Sequence, residues 1–161
     1  MGFQYDVKSS HQNSSGVAVA HRTRLKGAII SANTSAAARN TVFANNAPKT
    51  GTYNIPGSTT CTVTITGHGL TTGDRVWLNF TSGTASANIY VVTVTGDNTF
   101  TVTTASLTTS GNVTMYSDIL LEVDSYNAVA FNVTIPGDGI LATDGIYVGL
   151  VANITATAFY G

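Results

Sequence analysis

"CTVTITGHGLTTGDRVWLNF", residues 61–80, decides the fold. Its first part alternates, with Val63 and Ile65 on one side and Thr62, Thr64 and Thr66 on the other. Its last part, "RVWLNF" (75–80), puts Val76, Leu78 and Phe80 inward and Arg75, Trp77 and Asn79 outward. A period of two with β-branched residues predicts half-buried strands. Between them stand Gly67, Gly69 and Gly73, with His68 and Asp74 among them, which predicts a turn.

The same pattern runs outward in both directions. "YVVTVT" (90–95), "TFTVT" (99–103) and "NVTMY" (112–116) alternate, separated by the turn signals Ser82-Gly83-Thr84, Gly96-Asp97-Asn98 and Ser110-Gly111-Asn112. Upstream, "HRTRLKGAIISA" (21–32) and "NTVFAN" (40–45) read as strands. Downstream come "DILLEVD" (118–124), "AVAFNVTI" (128–135), "GIYVGLV" (145–151) and "ITATAFYG" (154–161). "SAAARN" (35–40) is the one helix candidate, and it is too short to be stable without packing. The expected class is all-β.

Residues 1–20 are small and polar without periodicity and predict an extended N-terminal arm. "NNAPKTGTYNIPGST" (45–59) holds two prolines and two glycines and reads as a linker. The expected organisation is therefore discontinuous. Residues 21–50 and 118–161 form an antiparallel β-sandwich of jelly-roll type, and 51–117 form a small inserted β-domain. Exposed loops with close ends tolerate such insertions.

Composition narrows the function classes. Only 9% of the 161 residues are charged, against about 25% in ordinary globular domains, while hydrophobic content is 43%. Thr, Ser, Asn and Gly take the place of charge. So sparse a surface charge suits a protein covered by partners. A net charge of −1 predicts no nucleic-acid partner, since such proteins carry a basic stripe or patch. The one basic cluster, "HRTRLK" (21–26), lies in a strand-like run. No stretch of about 18 apolar residues predicts a membrane span. "MGFQYDVKSS" has no apolar core of a secretory signal.

The chemical motifs reduce to turns. His68, Asp74 and Arg75 could supply parts of a catalytic or anion-binding set, but Asp74 suits a tight turn and no further acid or base converges there. "GHGLTTG" (67–73) lacks the following helix that a phosphate-binding glycine loop needs. Asp138 and Asp144 in "GDGILATDGIY" are too few oxygen ligands for calcium. Cys61 is the single cysteine and has no partner for a disulfide or metal cluster. His11 and His21 belong to another block than His68. No enzyme activity, metal or cofactor is expected. Trp77 is either half-covered by neighbours or an exposed contact anchor.

"TGHGLTTGDRVWL", "ANIYVVTVTGDNTFTVT" and "SGNVTMY", in that order over residues 60–116, resemble a short β-module of tailed-bacteriophage virion proteins. They also resemble the small β-barrel inserted in ubiquitin-activating enzymes, without that family's nucleotide or cysteine chemistry. "HRTRLKGAII", "TVFANN" and "IPGDGILATDGIYVGLVANITATAFYG" resemble small virion proteins of phages, cyanophages among them. The resemblance implies a small barrel in 51–117. It further implies a capsid decoration, or cement, protein on the outer shell of a virion. Its partners would be the major capsid protein and further copies of itself, as a homotrimer. A neck, tail or fibre component is the alternative within the virion, and a host-glycan-binding module the alternative outside structural roles.

Overall fold

The computed structural model describes residues 7–32, 39–125 and 129–161, and every regular element among them is a strand. The chain divides into two compact units, residues up to Ala47 with Ile119–Gly161, and Pro48–Asp118.

The outer unit is two antiparallel sheets built from nested pairs. β1 (Lys8–Gln12) pairs with β14 (Ile154–Tyr160), and β2 (Gly16–Val19) pairs with β13 (Ile146–Gly149). β3 (Thr23–Ala32) pairs with β11 (Phe131–Thr134), and β4 (Arg39–Ala44) with β10 (Ile119–Ser125). Rolling up these pairs gives the orders β1-β14-β3-β11 and β10-β4-β13-β2, with the short β12 (Ile140–Ala142) also on β3. This first-with-last nesting over eight strands in two sheets is the jelly-roll form of the β-sandwich.

Alternation fills the space between the sheets. β14 turns Ile154, Ala156 and Ala158 inward and leaves Thr155 and Thr157 half-buried. From the facing sheet Val19, Phe43, Ile146 and Val148 join Leu25, Ala28 and Ile30 in one cluster. Small alanines on one sheet leave room for the Phe43 ring from the other, the interdigitation that close packing requires.

An extended arm over residues 1–20 does not fit this arrangement. Residues 8–12 and 16–19 are strands of the two sheets, while 1–6 lie outside the described residues. Between the strands the Ser15 hydroxyl donates to Leu150 O at 3.0 Å and accepts from Leu150 N–H at 2.8 Å. Backbone pairing, which leaves no periodic trace in small polar side chains, holds the segment. "SAAARN" gives no helix over its described part, since Arg39 and Asn40 belong to β4; residues 35–38 lie outside the described residues.

The inserted unit leaves the base between β4 and β10, the innermost pair, where Ala44 and Ile119 are register partners. Its frame is β5 (Lys49–Thr64) against β9 (Thr99–Tyr116), paired from Lys49↔Met115 to Thr64↔Thr99. On its other side β9 takes β6 (Arg75–Phe80) near its end and β8 (Thr93–Gly96) near its start, and β6 takes β7 (Asn88–Val91). The result is a curled five-stranded sheet. β5 bends so far that a Cβ on Gly51 would collide with the Thr64 carbonyl oxygen of the same strand. Val63, Val76, Leu78, Phe100, Val113 and Met115 fill the inside of the curl.

Two further expectations change here. The linker 45–59 is mostly strand: Tyr53 and Ile55 are buried, and Pro56 sits at a register break on β5, the end strand of its sheet, where a missing N–H costs no ladder bond. The turn at Ser110-Gly111-Asn112 is also strand, inside β9. Glycine is needed there because a Cβ would stand 2.7 Å from Ser82 O.

Candidate functional site

The loop after β5 gathers His68, Asp74 and Arg75, and its polar groups are already engaged. The His68 ring is 5% exposed and lies edge-on to Phe100, with ring centroids 5.4 Å apart. Its Nδ1 accepts from Leu70 N–H at 3.0 Å, which leaves the proton on Nε2, 3.0 Å from Gly96 O. That is a neutral ring used as a brace. Asp74 closes the turn: Thr71 N–H and the Thr71 hydroxyl donate to its two oxygens at 2.8 and 3.0 Å. Gly67 N–H donates to Asn98 Oδ1 at 2.7 Å, and Lys49 Nζ donates to Gly67 O and His68 O. No lone pair or proton of the imidazole faces a substrate space.

Cys61 is fully buried, and loss of water around the sulfur pushes its thiol up to about 11. A thiol so protonated is a core group and not a nucleophile. Burial also raises the Tyr90 phenol above its ordinary value, with the nearby Cys61 adding to the rise.

Trp77 is 0% exposed, so the outward-facing reading from alternation is corrected. Alternation assigns a face of β6 but does not say whether that face is covered, and here both are. The indole lies across from Ile89 and Tyr116 and meets the Tyr116 ring edge-on at 5.3 Å. Its buried Nε1 finds no acceptor among the described residues. A buried ring cannot serve as a glycan-stacking platform or a contact anchor.

The acidic loop residues are apart. Lys26 Nζ donates to the backbone oxygen of Asp138 at 2.8 Å, while Asp144 N–H donates to Asn45 Oδ1 at 3.0 Å. His11 Nδ1 lies 2.9 Å from Thr157 Oγ1 on the neighbouring strand. Among the described residues no group of three or more His, Cys, Asp or Glu could hold a metal ion.

The open chemistry lies elsewhere, at one end of the sheet β1-β14-β3. A groove of about 500 Å³ is lined there by Lys8, His21, Arg22, Thr23, Arg24, Leu141, Tyr160 and Gly161. Lys8↔Tyr160 and Leu141↔Arg24 are register pairs, so strand pairing brings both ends of the chain to "HRTRLK". Three of the seven Lys and Arg residues line it, and no Asp or Glu does. Arg24 Nη1 donates to Gly139 O at 3.2 Å, whereas Lys8, His21 and Arg22 are exposed. The sequence shows the basic cluster, but only the pairing of β1 with β14 adds Lys8 and Tyr160 to it.

Compared with protein-family models and with curated proteins, the chain matches none.

Proposed function

We propose that this chain is a structural protein of a phage virion, a capsid decoration protein that binds the outer shell and stabilises contacts between capsid subunits. The observation that carries the reading is the base unit. It is a double-sheet jelly roll, a form that recurs in viral capsid and lectin domains, and its sheets end in the strands β1, β11, β10 and β2. Sheet ends are templates for pairing with another chain. The engaged state of His68 and Asp74 and the protonated Cys61 favour action through surfaces over catalysis. The resemblance of residues 21–50 and 118–161 to small phage virion proteins supplies the setting.

In this reading the partners are the major capsid protein and other copies of the chain, as a trimer at local three-fold positions of the shell. Residues 8–12 and 16–19 act as sheet strands and not as a strap over a neighbour. Many modest contacts repeated over a shell give avidity.

Quantitative mass spectrometry of purified particles tests the proposal. A copy number equal to that of the shell protein, or a simple fraction of it, is the expected result. A handful of copies would move the protein to the neck, tail or fibres, and absence from particles would end the reading.

A further inference from the structure

We propose that the peptide link between Asp138 and Gly139 is a site of self-modification, where Lys26 promotes closure to a succinimide and reopening to isoaspartate. The inference rests on this turn alone and not on the virion reading.

The fold commits the chain to this pair of residues. Gly139 has a φ of 78°, and a Cβ there would collide with Leu25 O, so no side chain can shield the link. Gly137, with a φ of 66°, opens the turn on the other side, and Asp138 between them is exposed. Among the described residues no hydrogen bond holds the Asp138 carboxylate or the Gly139 N–H. The electrophile and the nucleophile are neighbours, and neither is engaged elsewhere.

Lys26 adds the activation. Its ammonium donates to Asp138 O at 2.8 Å, and that oxygen belongs to the same peptide group as the Gly139 N–H. When the nitrogen gives up its proton, amide resonance shares the negative charge with the oxygen. A cation on the oxygen therefore stabilises the anionic nitrogen, as donors stabilise an oxyanion. The Lys26 stem runs beside Gly139, which keeps the ammonium in place.

The reaction balances with water alone. Gly139 N–H passes its proton to solvent, and the nitrogen attacks Cγ of the protonated Asp138 carboxyl. The C–OH bond breaks and the hydroxyl leaves as water, which closes the succinimide ring. Water then opens the ring at either carbonyl. Cleavage of N–Cγ restores aspartate, whereas cleavage of the backbone C–N bond leaves the chain running through the side chain as isoaspartate. The extra methylene has no room where Gly139 packs on Leu25 O, so β12 loses its alignment on β3.

A second Asp-Gly step gives an internal comparison. Asp144 N–H is held by Asn45 Oδ1 at 3.0 Å, and Gly145 is buried with no space for a Cβ beside Val19 O. Among the described residues no cation donates to Asp144 O.

The test is ageing of the full chain at neutral pH and physiological temperature. Isoaspartate is located by peptide mapping, since Asp-N protease ceases to cut there and electron-transfer fragmentation marks the new linkage. It is expected to accumulate at Asp138 and not at Asp144 in the folded chain, while in urea the two sites age alike. Lys26→Met should slow the reaction at Asp138 about tenfold, and Lys26→Arg should keep the rate. Asp138→Glu should abolish the signal. Equal ageing of both sites in the folded chain, or none at Asp138, would overturn the site; this comparison needs no substitution, so a misfolded variant leaves it standing. A Lys26→Met chain that ages as fast as wild type, or faster, would overturn the role of Lys26, because a lysine that only braced the turn would hold the reaction back.

Discussion

Two regions of this protein are rich in chemically capable residues, and they use them in opposite ways. In the loop 66–75, His68 and Asp74 meet backbone groups and Thr71, and Lys49 from β5 donates to the loop's carbonyls, so the polarity holds a turn. In the groove at the end of β1, β14 and β3, lysine, arginine and histidine face outward into open space. The difference teaches that residue type marks a site less well than the state of its donors and acceptors. A histidine with both nitrogens engaged is structure; an exposed arginine at a groove, such as Arg22, is open to solvent.

That contrast can be broken or sharpened by substitution. The largest effect is expected at His68. His68→Ala removes both ring hydrogen bonds and the Phe100 contact, and should cost about 2–4 kcal/mol in denaturant unfolding. A stable variant would mean that the loop does not need its brace.

Next is alkaline pH. The folded Cys61 thiol stays protonated to about 11, above its ordinary value, so its contribution is intact below the unfolded pKa and lost as pH rises towards 11. On the order of 2 kcal/mol of stability should disappear between about pH 9 and 11. Thermal melts against pH should show this fall in the wild-type chain and a shallower one in Cys61→Val, where the Tyr90 phenol, also raised by burial, remains.

Smaller again is Asp74→Ala, which strips two hydrogen bonds from an exposed turn and should cost about 1 kcal/mol by the same unfolding assay. Last comes Arg22→Gln in the groove. Its effect on stability should stay within about 0.5 kcal/mol. If Arg22→Gln destabilised the fold as His68→Ala does, the two regions would not differ in kind.

The all-β class and the sandwich were legible from period-two runs such as "ITATAFY", because burial on one face is what alternation records. What alternation cannot record is whether the second face is covered, and Trp77 is buried on the face that alternation leaves to solvent. Prolines and glycines in 45–59 looked like a linker although Tyr53 and Ile55 already alternated; Pro56 is tolerated only because β5 ends its sheet. β1 and β2 were invisible because pairing between distant backbones holds them. The same pairing explains why half of the groove could be seen in "HRTRLK" and the rest could not.

The placement of the inserted unit has a consequence for how the chain folds. Nested pairing joins β1 to β14 across nearly the whole sequence, a topology with few local contacts and hence slow to form. Its natural starting point is the innermost pair, yet β4 and β10 are separated by the whole insert. Closing a flexible loop of that length costs about 4 kcal/mol in chain entropy. An insert with its own core removes this cost by folding first, because its long antiparallel pair β5–β9 returns the chain from Lys49 to Met115 and so brings Ala44 near Ile119. The guest domain then acts as the nucleus of its host, and the jelly roll zips outward from it towards the chain ends.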